Sequence, residues 1–201
     1  MVAPECSPAA QAEGLGDVVS GLSRELQLRG HTVEIVRPKY DCMRHDYIGG
    51  LQRTHEELRV PWYAGAVRCL VWFGFVHGRK CLLIEPHSRA QVFNRAARYG
   101  FADETLRFAL FSKAALGFLL QSQSDKHPDP IHCRNRHTAL VPVLLYAIYQ
   151  YHGVHDQRIR FMMHNFRHPG IAAGDVLWVT GLGRPECYFD PLGIRDDFNA
   201  Q

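Results

Sequence analysis

The chain has no C-x-x-C pair, no run of basic residues longer than two, and no apolar stretch near the roughly 18 residues of a membrane span. Each absence removes a class of function. Six cysteines scattered from Cys6 to Cys187 without paired spacing argue against a disulfide frame and for free thiols in a reducing compartment. With 23 Lys+Arg against 20 Asp+Glu, the formal charge of +3 is too small and too dispersed for a nucleic-acid or membrane-surface partner. The N-terminus lacks a basic segment feeding an apolar core with a small-residue cleavage site, so no targeting leader is expected, and the setting read from this is cytosolic or stromal. Internal repeats and low-complexity segments are missing too.

What is present is a chain of 201 residues, 46% of them hydrophobic, enough to bury one sizeable core. Lysine is scarce and arginine abundant, which makes guanidinium recognition of carboxylate or phosphate available. Met1-Val2-Ala3 reads as the stub of a strand that runs into a loop ending at Glu13-Gly14-Leu15-Gly16-Asp17. Apolar positions at Val18, Val19, Leu22, Leu26 and Leu28 then repeat at helical spacing up to a Gly30 stop, and Val33 to Val36 reads as the next strand, closed by Pro38. Strand, glycine loop, helix and strand make a βαβ unit.

Such a loop places unpaired backbone N–H groups and the positive end of a helix dipole at one point, which suits phosphate. The spacing by itself is not specific: Gly14-x-Gly16 lacks both the third glycine of a dinucleotide fingerprint and the Lys-Ser/Thr ending of a P-loop. The alternative from this segment alone is an ordinary strand-to-helix turn with Asp17 as N-cap. A nicotinamide-dependent oxidoreductase is disfavoured by the missing glycine and by the lack of a ribose-binding acid in its usual place after Val36.

Further along, Leu58–Val60, Val67–Phe75 and Cys81–Ile84 with a turn at His77-Gly78 predict a β-hairpin. Asp103 opens a helix running through Leu120, and Gln121 to Pro128 reads as a loop. Pro130–Cys133 predicts a strand, Thr138–Tyr151 a helix with Pro142 in its first turn, and Ile159–Met163 another strand. The expected fold is α/β, one domain over 1–201, with a doubly wound, mainly parallel sheet and a β-hairpin insertion. Ligands of such sheets bind beyond the carboxyl ends of the strands, where the segments Glu5–Asp17, Arg134–Thr138 and His164–Gly170 fall.

Taken together, Ala3-Pro4-Glu5-Cys6-Ser7-Pro8, Gly14-Leu15-Gly16-Asp17-Val18-Val19, Gly30-His31-Thr32-Val33-Glu34-Ile35-Val36, Pro38-Lys39-Tyr40-Asp41, Arg107-Phe108, Thr138-Ala139-Leu140-Val141-Pro142 and His164-Asn165-Phe166-Arg167-His168 resemble the N-terminal half of the bacterial glycogen synthases and plant starch synthases. Cys42-Met43 and Phe73-Gly74-Phe75-Val76-His77-Gly78 look most like the cyanobacterial and plastidial branches. The resemblance implies a retaining glucosyltransferase of the two-domain, Rossmann-like GT-B fold. It uses ADP-glucose as donor substrate and an α-glucan as acceptor, with no cofactor, in a bacterial cytoplasm or plastid stroma. It also implies that the first strand is truncated here and that the C-terminal nucleotide-binding domain of the fold does not follow Gln201. His164 and Asn165 match residues that contact the donor glucose, and Gln11, Gly14, Leu15, Gly16 and Asp17 match the donor phosphate loop.

Two departures accompany the match. The family's loop reads Lys-x-Gly-Gly-Leu-Gly, and here Gln11 stands at the lysine and Glu13 at the first glycine. A unit charge within about 4 Å of a phosphate is worth on the order of 4 kcal/mol at a surface-like dielectric, so the swap is expected to weaken donor binding. The family's His-Asp-Trp at the cleft reads Arg134-Asn135-Arg136, whose expected state is a solvated basic loop, with a phosphate contact by either arginine as the other possibility. Tyr99 joins them as a candidate wall residue; Trp62, Tyr63 and Trp178 are further aromatics able to stack on sugar. A metal held by His164 and His168 is not expected, because Pro169 and Gly170 oppose a helix there and no third ligand is evident. These substitutions keep a second function open, a catalytically degenerate glucan-binding or scaffolding domain.

Overall fold

The computed structural model describes residues 1–12, 14–63, 65–121, 130–152, 157–164 and 175–182. Helix α1 (Leu15–Leu28) leads to strand β1 (Glu34–Pro38), followed by β2 (Gly49–Trp62), β3 (Gly65–Val76) and β4 (Arg79–His87). Helix α2 (Glu104–Gln121), β5 (Ile131–Arg134), α3 (Leu140–Ala147), β6 (Ile159–Met162) and α4 (Asp175–Thr180) complete the described elements.

Strands order as β1-β4-β3-β2 in one group and β5-β6 in another. Val2 joins the two, bridging Val36 on one side and Cys133 on the other, both in parallel. Its own N–H donates to His132 O at 2.7 Å, and Ala3 N–H donates to Val36 O at 3.0 Å. The first three residues therefore take a strand's place between β1 and β5, in line with the strand stub expected from their apolar character. Strands β4, β1, β5 and β6 share the parallel direction of Val2, while β3 runs antiparallel to β4 and β2 antiparallel to β3.

The end of α1 follows from local chemistry. Gly30, at φ 86°, donates to Gln27 O, and His31 N–H reaches Leu26 O, the paired bonds of a Schellman stop that needs a left-handed residue. The β3–β4 turn uses His77 at φ 49° and Gly78 at φ 74°, two left-handed residues as tight hairpins demand. Inside the hairpin, a Cβ on Gly74 would lie 2.5 Å from Ile48 Cγ2 and 3.3 Å from Gly49 O, so glycine alone lets β2 come this close.

Two predicted elements differ. Strand β2 extends far beyond Leu58–Val60, because residues 49–57 pair only with β3 at the sheet edge and lie mostly exposed, with irregular register at Gly49/Gln52 and Arg53/Glu57. Without a buried face there is no period-two pattern to read. The predicted helix Thr138–Tyr151 is interrupted: a 3₁₀ turn spans Arg136–Thr138, α3 runs only from Leu140 to Ala147 with Pro142 in its first turn, and a second 3₁₀ turn covers Tyr149–His152. Ala139 offers no side-chain cap and Ile148 leaves helical geometry at φ −123°.

The core is continuous from Val2, Ile35 and Val36 through Leu82, Leu83 and Cys133 to Phe108, Phe111, Leu116 and Leu144. Helix α2 is buried on nearly every side from Arg107 to Leu119, which makes it a central element rather than a surface one. Among the described residues no helix is long and apolar enough to cross a membrane.

Candidate active site at the carboxyl ends of the parallel strands

The loop leaving Val2 is held from beneath by a buried carboxylate. Glu5, 2% exposed, accepts a hydrogen bond from Tyr99 O–H at 2.7 Å and another from Ala12 N–H at 2.8 Å. Above it, Ser7 Oγ donates to Gln11 Oε1 at 2.9 Å, and Gln11 Nε2 donates to Asp17 Oδ2 at 2.6 Å. Ser7 N–H donates to Gly16 O at 3.1 Å, closing the loop onto the first turn of α1. A Cβ at Gly16 would sit 3.2 Å from Ser7 N and 3.3 Å from Gln11 Cγ, so this glycine permits the close approach, whereas Gly14 faces open space. Gln11, Gly14, Leu15, Gly16 and Asp17 are thus brought together at one helix N-terminus as expected. Glu13 lies outside the described residues.

Asp17 does not cap the helix. Gly14 occupies the N-cap position and no side chain bonds there, while Asp17 lies in the first turn with its carboxylate turned to Gln11. An anion in the first turn is favoured by the helix dipole, and it fills part of the field that a phosphate would use. Gln11 spends an amide N–H on this internal bond. The loop therefore keeps its backbone shape with neutral and acidic side chains.

The segment after β5 is different. Arg134 is completely buried, not solvated: Nη1 lies 2.7 Å from Met162 Sδ and 3.2 Å from His164 Nε2, while Nε and Nη2 have no hydrogen-bond partner. Burial lowers its pKa, opposed by the nearby Cys133. The solvated loop expected from sequence fails here because β5 carries residue 134 into the sheet against β6. Asn135 adopts φ 57° and ψ 175°, a positive-φ conformation outside the left-handed helical well and ordinarily left to glycine, and its Oδ1 accepts His164 N–H at 2.7 Å. Arg136 is half-buried and bound to Glu104, Nη2 to Oε1 at 2.6 Å, so it too is not a free cation.

His164 itself is exposed, directly after β6, with its pKa lowered first by burial and second by Arg134. It is held in the neutral form, able to exchange hydrogen bonds with sugar hydroxyls near neutral pH. Asn165 and His168 lie outside the described residues; among the described residues no group of three His, Cys, Asp or Glu side chains could hold a metal ion.

Tyr99 is half-buried. Its ring packs on His137 at 4.9 Å and on Phe108 at 6.0 Å, and its hydroxyl is bound to Glu5; burial and this network push its pKa up. Glu104, whose carboxyl is lowered first by His137 and also by the Gly100 N–H and Arg136, ties the same cluster to α2. Residues missed by sequence reasoning are thus Glu5, Glu104, His137 and Arg98, whose Nη1 donates to Gln11 O at 3.1 Å. An acid between apolar residues directly after a strand was the available signal for Glu5; the partners of the others are set by distant segments.

Comparison with known proteins follows the same lines. A family model described as the starch synthase catalytic domain matches residues 1–200. Glycogen synthase 1 of Synechococcus sp. (strain JA-2-3B'a(2-13)) is 56% identical over 198 residues, covering 98% of this chain and 40% of the relative. Glycogen synthase 2 of Methylococcus capsulatus gives 56% over 198 residues with the same coverage. The solved catalytic domain of starch synthase IV from Arabidopsis thaliana, bound to ADP and acarbose, superimposes with a TM-score of 0.87 at 39% identity, covering 92% of this chain and 38% of that one. The chain spans about 40% of the length of the curated relatives it matches. With the family model matched over residues 1–200 and the solved relative superimposing on 92% of the chain, the chain belongs to the starch synthase catalytic domain family.

Proposed function

We propose that this chain is the N-terminal, acceptor-side domain of an ADP-glucose:(1→4)-α-D-glucan 4-α-glucosyltransferase that extends glycogen or starch with retention of configuration. The observation that carries this function is the intact loop-to-helix geometry, in which Gly16 packs on Ser7 at the N-terminus of α1. Backbone N–H groups there can receive the donor phosphates. His164 and Asn165 would bind hydroxyls of the donor glucose, holding its anomeric carbon against the phosphate and supporting charge as the glycosidic bond breaks. Binding of ADP and acarbose by the Arabidopsis structure supports a nucleotide-sugar donor and a glucan acceptor. The relatives' longer chains support a second domain that completes the cleft, with a bacterial cytoplasm or plastid stroma as the setting.

The test joins residues 1–201 to the remaining part of the Synechococcus relative and follows labelled glucose from ADP-glucose into glycogen. Turnover is expected in the joined protein and none from the 201-residue chain alone. His164→Ala in the joined protein should lower kcat at least tenfold. A folded joined protein that retains glycogen but shows no turnover would instead support the degenerate glucan-binding domain, a function favoured by the engagement of Gln11 with Asp17.

A further inference from the structure

The donor loop lacks the family lysine, and the two arginines at the end of β5 are both committed elsewhere. Arg134 is sealed against Met162 and His164, and Arg136 is paired with Glu104. A pyrophosphate at the N-terminus of α1 would then meet only backbone N–H groups, with Asp17 nearby to oppose it. Yet one cation does reach this loop from another part of the chain. Arg98, on the segment between β4 and α2, donates from Nη1 to Gln11 O at 3.1 Å, across 87 residues of sequence.

Among the described residues Arg98 forms no ion pair: Arg95 takes Asp103, Arg136 takes Glu104, and no carboxylate lies within 4.0 Å of Arg98. Its Nε is covered and without a partner, while the Nη1 contact is at the surface. A guanidinium that already faces the loop through Nη1 and, among the described residues, pairs with no carboxylate can make a forked contact with phosphate oxygens. The acceptor it now uses, a backbone carbonyl on the loop, is one that an incoming anion can replace at small cost.

We infer that Arg98 supplies the cationic contact to the donor pyrophosphate that the lysine position, here Gln11, no longer provides. The charge has moved from the loop to the segment packed against it, leaving its location in space at the same helix N-terminus. This rests on the donor function proposed above and specifies which side chain of this domain recognises the phosphates.

The experiment uses residues 1–201 joined to the rest of the Synechococcus relative and measures Kd for ADP and for adenosine by calorimetry at constant ionic strength. Arg98→Gln is expected to raise the Kd for ADP about tenfold and leave adenosine unchanged, because adenosine carries no phosphate. Adding Gln11→Lys to Arg98→Gln should restore ADP binding to within about twofold, whereas Gln11→Lys alone should gain less, as expected of two cations serving one anion. Equal ADP affinity in the unsubstituted protein and Arg98→Gln overturns the inference while leaving the donor function standing. So does a matching loss of adenosine, which would show that Arg98 only holds the loop in shape. No ADP binding by the unsubstituted joined protein overturns both.

Discussion

The loop after Val2 and the segment after β5 leave neighbouring parallel strands at the same edge of the sheet, and they treat charge in opposite ways. The first has a buried anion, Glu5, with an O–H and an N–H donated to it, and neutral or acidic groups at its surface. The second has a buried cation, Arg134, whose neighbours are a thioether and an imidazole and whose remaining N–H groups are unpartnered. Glu5 therefore holds its loop in place, while Arg134 is a costly presence that the surrounding packing must offset. Position in the fold sets where a side chain goes; whether it stabilises depends on the partners waiting there.

The largest expected effect is at Glu5. Glu5→Ala removes the acceptor of both Tyr99 and Ala12 and should cost about 2–4 kcal/mol, read from urea denaturation. A loss below about 1 kcal/mol would erase the contrast between the two loops. Next, Arg134→Met keeps the volume and removes the unpartnered N–H groups, so stability should rise by about 1–2 kcal/mol in the same assay. Destabilisation would mean that the arginine is a net contributor and that the comparison is wrong on that side. Gly16→Ala should cost about 1–2 kcal/mol, because the new Cβ meets Ser7 N at 3.2 Å and Gln11 Cγ at 3.3 Å; Gly14→Ala should do far less to the packing, having open space.

The smallest effect sharpens the second region through pH. Glu104 has a folded pKa below the usual carboxylate value, set first by His137. Its contribution is therefore present above the unfolded pKa and is lost as pH falls through the folded one. Glu104→Gln should flatten the fall in stability on acidification below about pH 4.5, as measured by thermal unfolding at a series of pH values. An unchanged slope would show that the Glu104 cluster does not carry acid sensitivity.

Much of the fold was legible because its signals are local. Helix α1 and its Gly30 stop, the hairpin turn at His77-Gly78, the apolar stub at Val2 and strands β1, β5 and β6 all follow from spacing and from residues able to adopt particular backbone angles. Strand β2 was mostly hidden, since an edge strand exposed on both faces has no alternation to read. The Thr138–Tyr151 run has helical spacing but breaks around α3. Asp17 looked like an N-cap because its type is favoured there, yet the loop geometry set by Gly14 and Gly16 moved it into the first turn.

For the candidate site, the sequence alone determined which residues sit at the strand ends, and with them the glycine loop and the His164 segment. It could also show that Gln11 had replaced a cation. Only the tertiary structure decided what those residues do with their charge. Arg134 turns inward because β5 pairs with β6, Tyr99 is taken up by Glu5 from 94 residues away, and Arg98 reaches Gln11 from a segment that no motif marks. The physical reason is range. Backbone preference and apolar period act over a few residues, whereas burial and partnering of a charge depend on elements that meet only when the sheet is assembled.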